Sequence, residues 1–182
     1  TTVKDSHFEN NDFGLSLWNS DQTTITDSTF KNNEISGIWL SESDDWEITN
    51  NLISRNGNSD PFSGGVYLSG SNKGLIASND IEYNLNTGLY ANQSNGTIYK
   101  NNFLDNTESV ILLDSRFDWF TGIPRFIGNY WSNYDSEDEG CFDLDLDYIC
   151  DAPLVLDEFN TDIWPFNVKN GWDLNSSNLT FF

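Results

Sequence analysis

Residues 25–43, ITDSTFKNNEISGIWLSES, contain one unit of a repeat that organises most of the chain. Each unit starts at an apolar residue, and successive units begin 22, 23, 28 and 22 residues apart, at Val3, Ile25, Ile48, Ile76 and Ile98. Five residues further on, every unit is again apolar, at Phe8, Phe30, Ile53, Ile81 and Phe103. Eight residues on, every unit has asparagine, at Asn11, Asn33, Asn56, Asn84 and Asn106. Repetition at this period is typical of solenoid proteins.

A second set of columns follows within the same units. Glycine occupies one position in four units and serine replaces it in the fifth: Gly14, Gly37, Gly65, Gly88 and Ser109. The next residue is apolar, at Leu15, Ile38, Val66, Leu89 and Val110, and so is the third, at Leu17, Leu40, Leu68, Ala91 and Leu112. The sixth is serine, at Ser20, Ser43, Ser71, Ser94 and Ser115. Apolar residues at alternate positions indicate a short strand with one face inward.

These columns predict an all-β fold, a right-handed parallel β-helix (β-solenoid) of five to six coils, each of about 22 residues. We expect residues 1–127 to form its repeats, and residues 128–182 to form an irregular, aromatic and Asp-rich tail packed on it. A leucine-rich repeat has a similar period, but it would need more leucine and a helical or extended convex segment. The asparagine column predicts a ladder of stacked amides. Extra residues at 58–63, which include Pro61, predict a protruding loop.

The composition restricts the classes of function. With 29 acidic and 8 basic residues, the chain has a formal net charge of −21, which disfavours binding to nucleic acid and to anionic lipid. Its 13 Phe, 7 Tyr and 7 Trp argue against disorder. No apolar run approaches the ~20 residues that a membrane-spanning helix needs. We therefore expect no nucleic-acid partner and no membrane insertion.

The cysteines and the glycosylation sequons indicate export. Cys141 and Cys150 are the two cysteines, and we expect them to form a disulfide in an oxidising compartment, with two reduced structural thiols as the alternative. Asn-x-Ser/Thr sequons predict glycosylation at Asn92, Asn95, Asn175 and Asn178. Together these features predict an extracellular or cell-surface glycoprotein.

An acidic stretch lies between and just after the cysteines. Its carboxylates alternate with other residues and predict a metal site with four ligands: Asp143, Asp145, Asp147 and Asp151. Ca²⁺ prefers six to eight hard oxygen ligands, and closely spaced carboxylates repel one another unless a cation lies among them. Tyr148 stands where such loops usually have glycine. The alternative is a solvated acidic loop, or a short strand with its Asp face in water.

Three aromatic residues share the position two after the glycine column. Trp39, Tyr67 and Tyr90 are predicted to face outward and to form a continuous stripe, because stacked coils lie about 4.8 Å apart. Aromatic stripes bind sugar faces and also form protein interfaces. We favour an interface here, with the stripe covered by the C-terminal tail or by a neighbouring subunit.

The combined columns resemble the NosD-type periplasmic repeat, which belongs to the wider group of carbohydrate-binding and sugar-hydrolase β-helices. The resemblance covers residues 1 to about 120. The tail motifs Gly128-Asn-Tyr-Trp-Ser-Asn-Tyr134, Asp151-Ala-Pro153 and Asp162-Ile-Trp-Pro165 are similar to those that follow such repeats in many archaeal surface proteins. The resemblance implies an exported β-helix. Copper handling is associated with this repeat, but Met is absent and His7 is the only histidine, so we expect no copper.

The sequence favours a structural role over catalysis. Asp5 and Asp27 share a column, but Asn50, Ser78 and Lys100 follow them, so we expect no catalytic residue and no enzyme activity. Thr1 already lies in the first coil, so we expect either a fragment of a longer protein or an open edge that stacks on a neighbouring chain, because an open edge of a β-helix templates pairing. We therefore predict a non-catalytic extracellular structural protein whose copies stack end to end into a surface layer, sheath or filament. A carbohydrate-binding module is the first alternative, with polysaccharide as partner, and a polysaccharide lyase or glycoside hydrolase is the second.

Overall fold

A computed structural model of the chain describes residues 1–120 and 127–178, with the backbone alone at 175–178. Three short strands form each of the first five coils, and two strands form the sixth. The first three coils consist of β1 (Thr2–Lys4), β2 (His7–Glu9) and β3 (Phe13–Trp18), then β4 (Thr24–Thr26), β5 (Thr29–Lys31) and β6 (Ser36–Ser41), then β7 (Glu47–Thr49), β8 (Leu52–Ser54) and β9 (Gly64–Ser69). The next consist of β10 (Gly74–Ala77), β11 (Asp80–Glu82) and β12 (Thr87–Asn92), then β13 (Asn95–Tyr99), β14 (Asn102–Leu104) and β15 (Glu108–Leu113), then β16 (Arg116–Asp118) and β17 (Tyr130–Trp131).

Strands at the same place in successive coils stack into three parallel sheets. Sheet A contains β1, β4, β7, β10, β13 and β16; sheet B contains β2, β5, β8, β11, β14 and β17; sheet C contains β3, β6, β9, β12 and β15. The pairing joins the columns read from the sequence, with Val3 beside Ile25 and Ile25 beside Ile48. Crossovers between parallel strands are right-handed. The prediction of an all-β parallel β-helix is confirmed.

The apolar columns fill the interior. Ile25, Ile48 and Ile76 of sheet A are fully buried, as are Phe30 and Phe103 of sheet B. Complete burial of one such side chain contributes roughly 1.5–3 kcal/mol. Within sheet B the rings also stack along the helix axis, at 5.0 Å between Phe8 and Phe30 and at 4.4 Å between Phe103 and Trp131. The core therefore continues without a gap from the first coil to β17.

Asparagine amides form the predicted ladder. The Nδ2 atom of Asn33 donates to Oδ1 of Asn56 at 2.9 Å, and Asn56 donates in turn to Asn84 at 3.1 Å. Each Nδ2 also donates to a backbone carbonyl, such as that of Phe30 beneath Asn56, at 2.9 Å. These hydrogen bonds thus pair both the buried amides and the backbone carbonyls of the turn, and buried polar groups require such partners.

A second asparagine ladder and a serine ladder run beside the first. Asn51, Asn79, Asn101 and Asn129 pass hydrogen bonds from coil to coil in the same way. In the serine column, each hydroxyl accepts a hydrogen bond from the backbone N–H of the serine one coil earlier. The N–H of Ser71, for example, donates to Ser94 Oγ at 3.1 Å. The sequence columns did not include the second asparagine ladder, since serine occupies its first two positions, at Ser6 and Ser28.

The C-terminal tail closes the end of the solenoid after the last coil. It begins with β17, which is still part of sheet B beyond the expected boundary at residue 127. A 3-10 turn (Glu137–Glu139), the antiparallel pair β18 (Leu154–Val155) and β19 (Thr161–Asp162), and α1 (Gly171–Asn178) follow. Asn160 accepts from the N–H of Phe117, and Asp162 accepts from the N–H of Asn129, both at 2.9 Å. The tail therefore supplies the hydrogen-bond partners that a further coil would have supplied.

Candidate functional site

The acidic loop (residues 141–151) lies in the tail. Cys141 and Cys150 form the predicted disulfide, with their Cα atoms 4.9 Å apart. Between them, Asp143, Asp145 and Asp147 each offer a carboxylate oxygen, and these oxygens lie within 4.8 Å of one another. Among residues 1–120 and 127–178, this is the one group of three or more His, Cys, Asp or Glu side chains with metal-site spacing.

Local hydrogen bonds give the loop its shape. Asp143 accepts the backbone N–H groups of Asp147 and Tyr148, both at 3.1 Å, so its carboxylate holds the turn that follows it. Leu146 and Tyr148 have φ angles of 62° and 72°, in the left-handed region that glycine favours. Tyr148 therefore adopts the conformation for which glycine is usual in calcium loops, and the turn forms without glycine.

The structure separates the fourth predicted ligand from the other three. Asp151 accepts the backbone N–H of Leu144 at 2.7 Å and is not part of the carboxylate group. Asn167, which the sequence analysis did not identify, donates from Nδ2 to Asp143 Oδ2 at 2.8 Å. The Oδ1 atom of Asn167 is buried without a hydrogen-bond partner. No sequence signal identified Asn167, because it lies outside the repeat and far from Asp143 along the chain.

Electrostatics favours a cation in this loop. Burial raises the pKa of Asp147, and the neighbouring charges of Asp145 and Asp143 raise it further, against the hydrogen bond from the N–H of Ile149. Three carboxylates are hard donors of the type that Ca²⁺ prefers. A bound cation would neutralise the repulsion among the carboxylates.

The aromatic stripe forms on the outer face of sheet C. Trp39 stacks on Tyr67 with ring centres 3.6 Å apart, and Tyr67 stacks on Tyr90 at 4.9 Å. Phe62 of the inserted loop packs edge-on against Tyr90 at 5.5 Å. Burial raises the pKa of Tyr90. Because the rings turn their faces toward one another, the stripe offers solvent mainly ring edges, whereas a sugar stacks on a ring face. The geometry gives more support to cohesion between coils than to sugar binding.

The sequons lie in different environments. Asn92 is half-buried, and the Ser94 of its sequon is buried within the serine ladder. Asn95 is exposed, and its Nδ2 donates to Asn72 Oδ1 at 2.6 Å. The side chains of Asn175 and Asn178 lie outside the described part of the chain. Glycosylation at these asparagines stays a prediction.

The column that contains Asp5 and Asp27 is a corner of the solenoid. Each member has a left-handed φ between 49° and 60°: Asp5, Asp27, Asn50, Ser78 and Lys100. Asp and Asn tolerate this conformation well, which accounts for their presence without any chemistry. The absence of catalytic residues stays a prediction.

Comparison with known proteins identifies the repeat. A family model described as "Periplasmic copper-binding protein (NosD)" matches residues 1–136. The resemblance to a NosD-type β-helix repeat is thereby confirmed. No curated protein and no solved structure gives a significant match. No helix among the described residues is long and apolar enough to cross a membrane.

The family description contradicts the expectation of no copper, which was wrong. That expectation counted only thiol, thioether and imidazole donors, whereas Cu²⁺ also binds mixed nitrogen and oxygen sites. In this chain His7 Nε2 lies 3.0 Å from Glu9 Oε2, and hydrogen bonds from His7 and then Asn32 hold the pKa of Glu9 below its usual value. Both cysteines are in the disulfide and Met is absent. Two adjacent donors are fewer than a complete copper site requires.

Proposed function

Because the chain belongs to the periplasmic copper-binding protein (NosD) family, we propose that it is an exported, non-catalytic structural β-helix whose C-terminal cap binds Ca²⁺. One observation carries the calcium site, namely the convergence of three carboxylate oxygens within 4.8 Å inside the disulfide-closed loop. Asp143, Asp145 and Asp147 would hold the ion, and Asn167 would support the site through its hydrogen bond to Asp143. Water would complete the six to eight ligands that Ca²⁺ takes.

Contacts at the base of the acidic loop connect it to the capped end of the solenoid. The N–H of Cys150 donates to the carbonyl of Pro165 at 2.8 Å, and the N–H of Asn167 donates to the carbonyl of Tyr148 at 3.1 Å. Phe166, which lies between Pro165 and Asn167, is fully buried and bridges to Tyr130 of β17. An ion in the loop would therefore stabilise the segment that covers the last coil.

Thermal unfolding tests the calcium proposal. Chelated protein is titrated with CaCl₂, and we expect the melting temperature to rise with added Ca²⁺. Asp145→Asn removes an exposed carboxylate of the group and should abolish most of this rise. Asp114→Asn makes the same change of charge at an exposed site outside the carboxylate group and should leave the rise intact. Equal melting temperatures with and without Ca²⁺ would overturn the proposal. A rise with Cu²⁺ alone would overturn it too, in favour of the metal in the family's description.

End-to-end association through the first coil is a second candidate function. The strands β1, β2 and β3 are the outermost members of sheets A, B and C, and each pairs on one side only within the described chain. Such an edge templates a further strand. We propose that copies of the protein associate through these edge strands.

Sedimentation of the full chain over a range of concentrations tests this association. We expect a concentration-dependent dimer that Val3→Lys prevents, because Val3 is the central residue of β1 and packs against the core at the first coil, with its folding checked by circular dichroism. A monomer at every concentration, or a dimer that Val3→Lys leaves unchanged, would contradict association through this edge.

A further inference from the structure

The acidic loop carries exposed apolar side chains between its carboxylates. Leu144 and Leu146 are 81% and 78% exposed, and no other large apolar side chain in the described part of the chain is as exposed. Phe142, two residues earlier, is also exposed. Single exposed leucines are normal on protein surfaces, whereas the two most exposed ones here lie two residues apart in one disulfide-closed loop. We call this pair, Leu144 and Leu146, the leucine tip.

The fold of the loop separates the leucine tip from the carboxylates at either end of it. Asp143 is half-buried and accepts the N–H groups of Asp147 and Tyr148, so the turn closes on its inner side and leaves the two leucines outside. Leu146 has a left-handed φ of 62°, which is unfavourable for a leucine. An exposed leucine in this conformation adds little to the stability of the fold. Its presence therefore points to a contact made outside the chain.

The cation site of the acidic loop lies beside the leucine tip. Asp145, one of the three converging carboxylates, stands between the two leucines in the sequence. Three carboxylates leave several of the six to eight positions of a Ca²⁺ ion to oxygens from water or from a ligand. A ligand that fits both features presents hard oxygens next to hydrocarbon. The surface of a phospholipid bilayer has this arrangement, because phosphate groups lie directly above acyl chains.

We propose that the leucine tip docks on a phospholipid surface when Ca²⁺ occupies the acidic loop, an inference that rests on the calcium site proposed above. Phosphate oxygens would replace water on the ion, and Leu144 and Leu146 would enter the boundary between headgroups and acyl chains. The formal charge of −21 repels an anionic bilayer, so the lipid that fits is zwitterionic, such as phosphatidylcholine. Without Ca²⁺ the carboxylates beside the tip are uncompensated and keep their hydration, which opposes docking.

A protein partner fits the leucine tip less well than a lipid surface does. A standard protein interface buries about 800 Å² on each partner, far more than the side chains of one short loop offer. A second copy of this chain would also bring an identical acidic loop, and like charges would repel. A bilayer needs no matching shape, so a few apolar side chains and one ion give weak and reversible binding.

Co-sedimentation of the full chain with phosphatidylcholine vesicles, in CaCl₂ or in EGTA, tests the proposal. We expect binding in CaCl₂ alone. The double variant Leu144→Ser, Leu146→Asn should bind about tenfold or more weakly, because two apolar side chains no longer leave water. Asparagine suits the left-handed conformation at position 146, so the loop should keep its shape. Leu85→Asn is the matched control, since Leu85 is 61% exposed in the solenoid, outside the acidic loop, and it should bind as the parent does.

Melting in lipid-free solution separates this proposal from the calcium site. A double variant that keeps the rise in melting temperature with Ca²⁺ but loses vesicle binding supports docking through the leucine tip. If Ca²⁺ raises the melting temperature and vesicles bind no protein, docking is wrong and the calcium site stands. Vesicle binding that persists in EGTA, that the double variant retains, or that Leu85→Asn weakens equally would also overturn docking. If Ca²⁺ does not raise the melting temperature, the calcium site fails and this inference fails with it.

Discussion

Asp162 Oδ2 accepts hydrogen bonds from both the backbone N–H and the side-chain Nδ2 of Asn129, at 2.9 and 3.1 Å. Asn129 Oδ1 receives the same pair of bonds from Asn101 one coil earlier. A carboxylate thus takes the place of the next asparagine and ends the second ladder. The indole N–H of Trp131 adds a third bond to Asp162 Oδ2, at 2.9 Å. Because a carboxylate only accepts, the ladder cannot continue beyond it.

Removal of this carboxylate should change how stability depends on pH. Burial raises the pKa of Asp162 from 3.8 to about 6, against its hydrogen bonds from Trp131 and Asn129. The protonated Asp162 carboxyl therefore stabilises the fold fully below about pH 4. This stabilisation, on the order of 3 kcal/mol, is lost as pH rises through about 6. Asp162→Asn keeps an acceptor for Asn129 and does not ionise. Urea unfolding measures the unfolding free energy of both proteins. From about pH 4 to pH 7, the unfolding free energy of Asp162→Asn should rise relative to that of the parent. A difference that is constant with pH would contradict the burial of an ionising group here.

Interruption of the first asparagine ladder at its centre should be costly. Asn56→Ala removes the donor to the buried carbonyl of Phe30 and the Oδ1 acceptor of both the backbone N–H and the Nδ2 of Asn33. Buried polar groups left unsatisfied cost about 1–3 kcal/mol each, so we expect a loss of roughly 3 kcal/mol or more in unfolding free energy. Asn11→Ala, at the exposed first step of the same ladder, should cost about 1 kcal/mol. Similar losses at both positions would show that burial does not determine the effect.

Replacement of glycine by alanine in the glycine column should destabilise the protein wherever a further coil follows. A Cβ atom on Gly65 would meet the carbonyl oxygen of Gly88 at 2.6 Å, and one on Gly88 would meet that of Ser109 at 2.7 Å. Ser109 lies in β15, the last strand of sheet C, and among the described residues no strand of a further coil pairs with it. We expect Gly65→Ala to lower the unfolding free energy by about 1–3 kcal/mol through overpacking, and Ser109→Ala to be close to neutral. Chemical denaturation measures both, and a neutral Gly65→Ala would refute the close approach of the coils.

Loss of the disulfide should weaken the cap and its cation site together. Replacement of Cys141 and Cys150 by serine opens a loop with a sequence separation of 9 residues, which should cost about 2–3 kcal/mol. The carboxylates should then hold Ca²⁺ less tightly, because the unconstrained loop must be ordered on binding. Melting of the variant with and without Ca²⁺ measures both effects. An undiminished response to Ca²⁺ would show that the disulfide does not organise the site.

Part of the candidate site was readable from sequence. Alternation placed Asp143, Asp145 and Asp147 close together, because neighbours along a short loop stay neighbours in space. Asp151 lies just as near in sequence but turns to the N–H of Leu144, since the disulfide and the local turns set its direction. Asn167 reaches Asp143 only because the tail folds back on itself. Position along the chain carries no information about such a contact.

The sequence by itself determined the β-helix, its coil register and its inward and outward faces. Residues at the same position of successive repeat units stack on one another in a solenoid. Each column of the repeat is therefore a row of neighbouring side chains in the molecule. Only the tertiary structure decided how the solenoid ends, through Asn160 and Asp162, and that Asn167 meets Asp143 of the acidic loop. The tail has no period, and its contacts depend on where an irregular chain returns to the last coil. That return is set by the packing of the whole molecule, which no local pattern encodes.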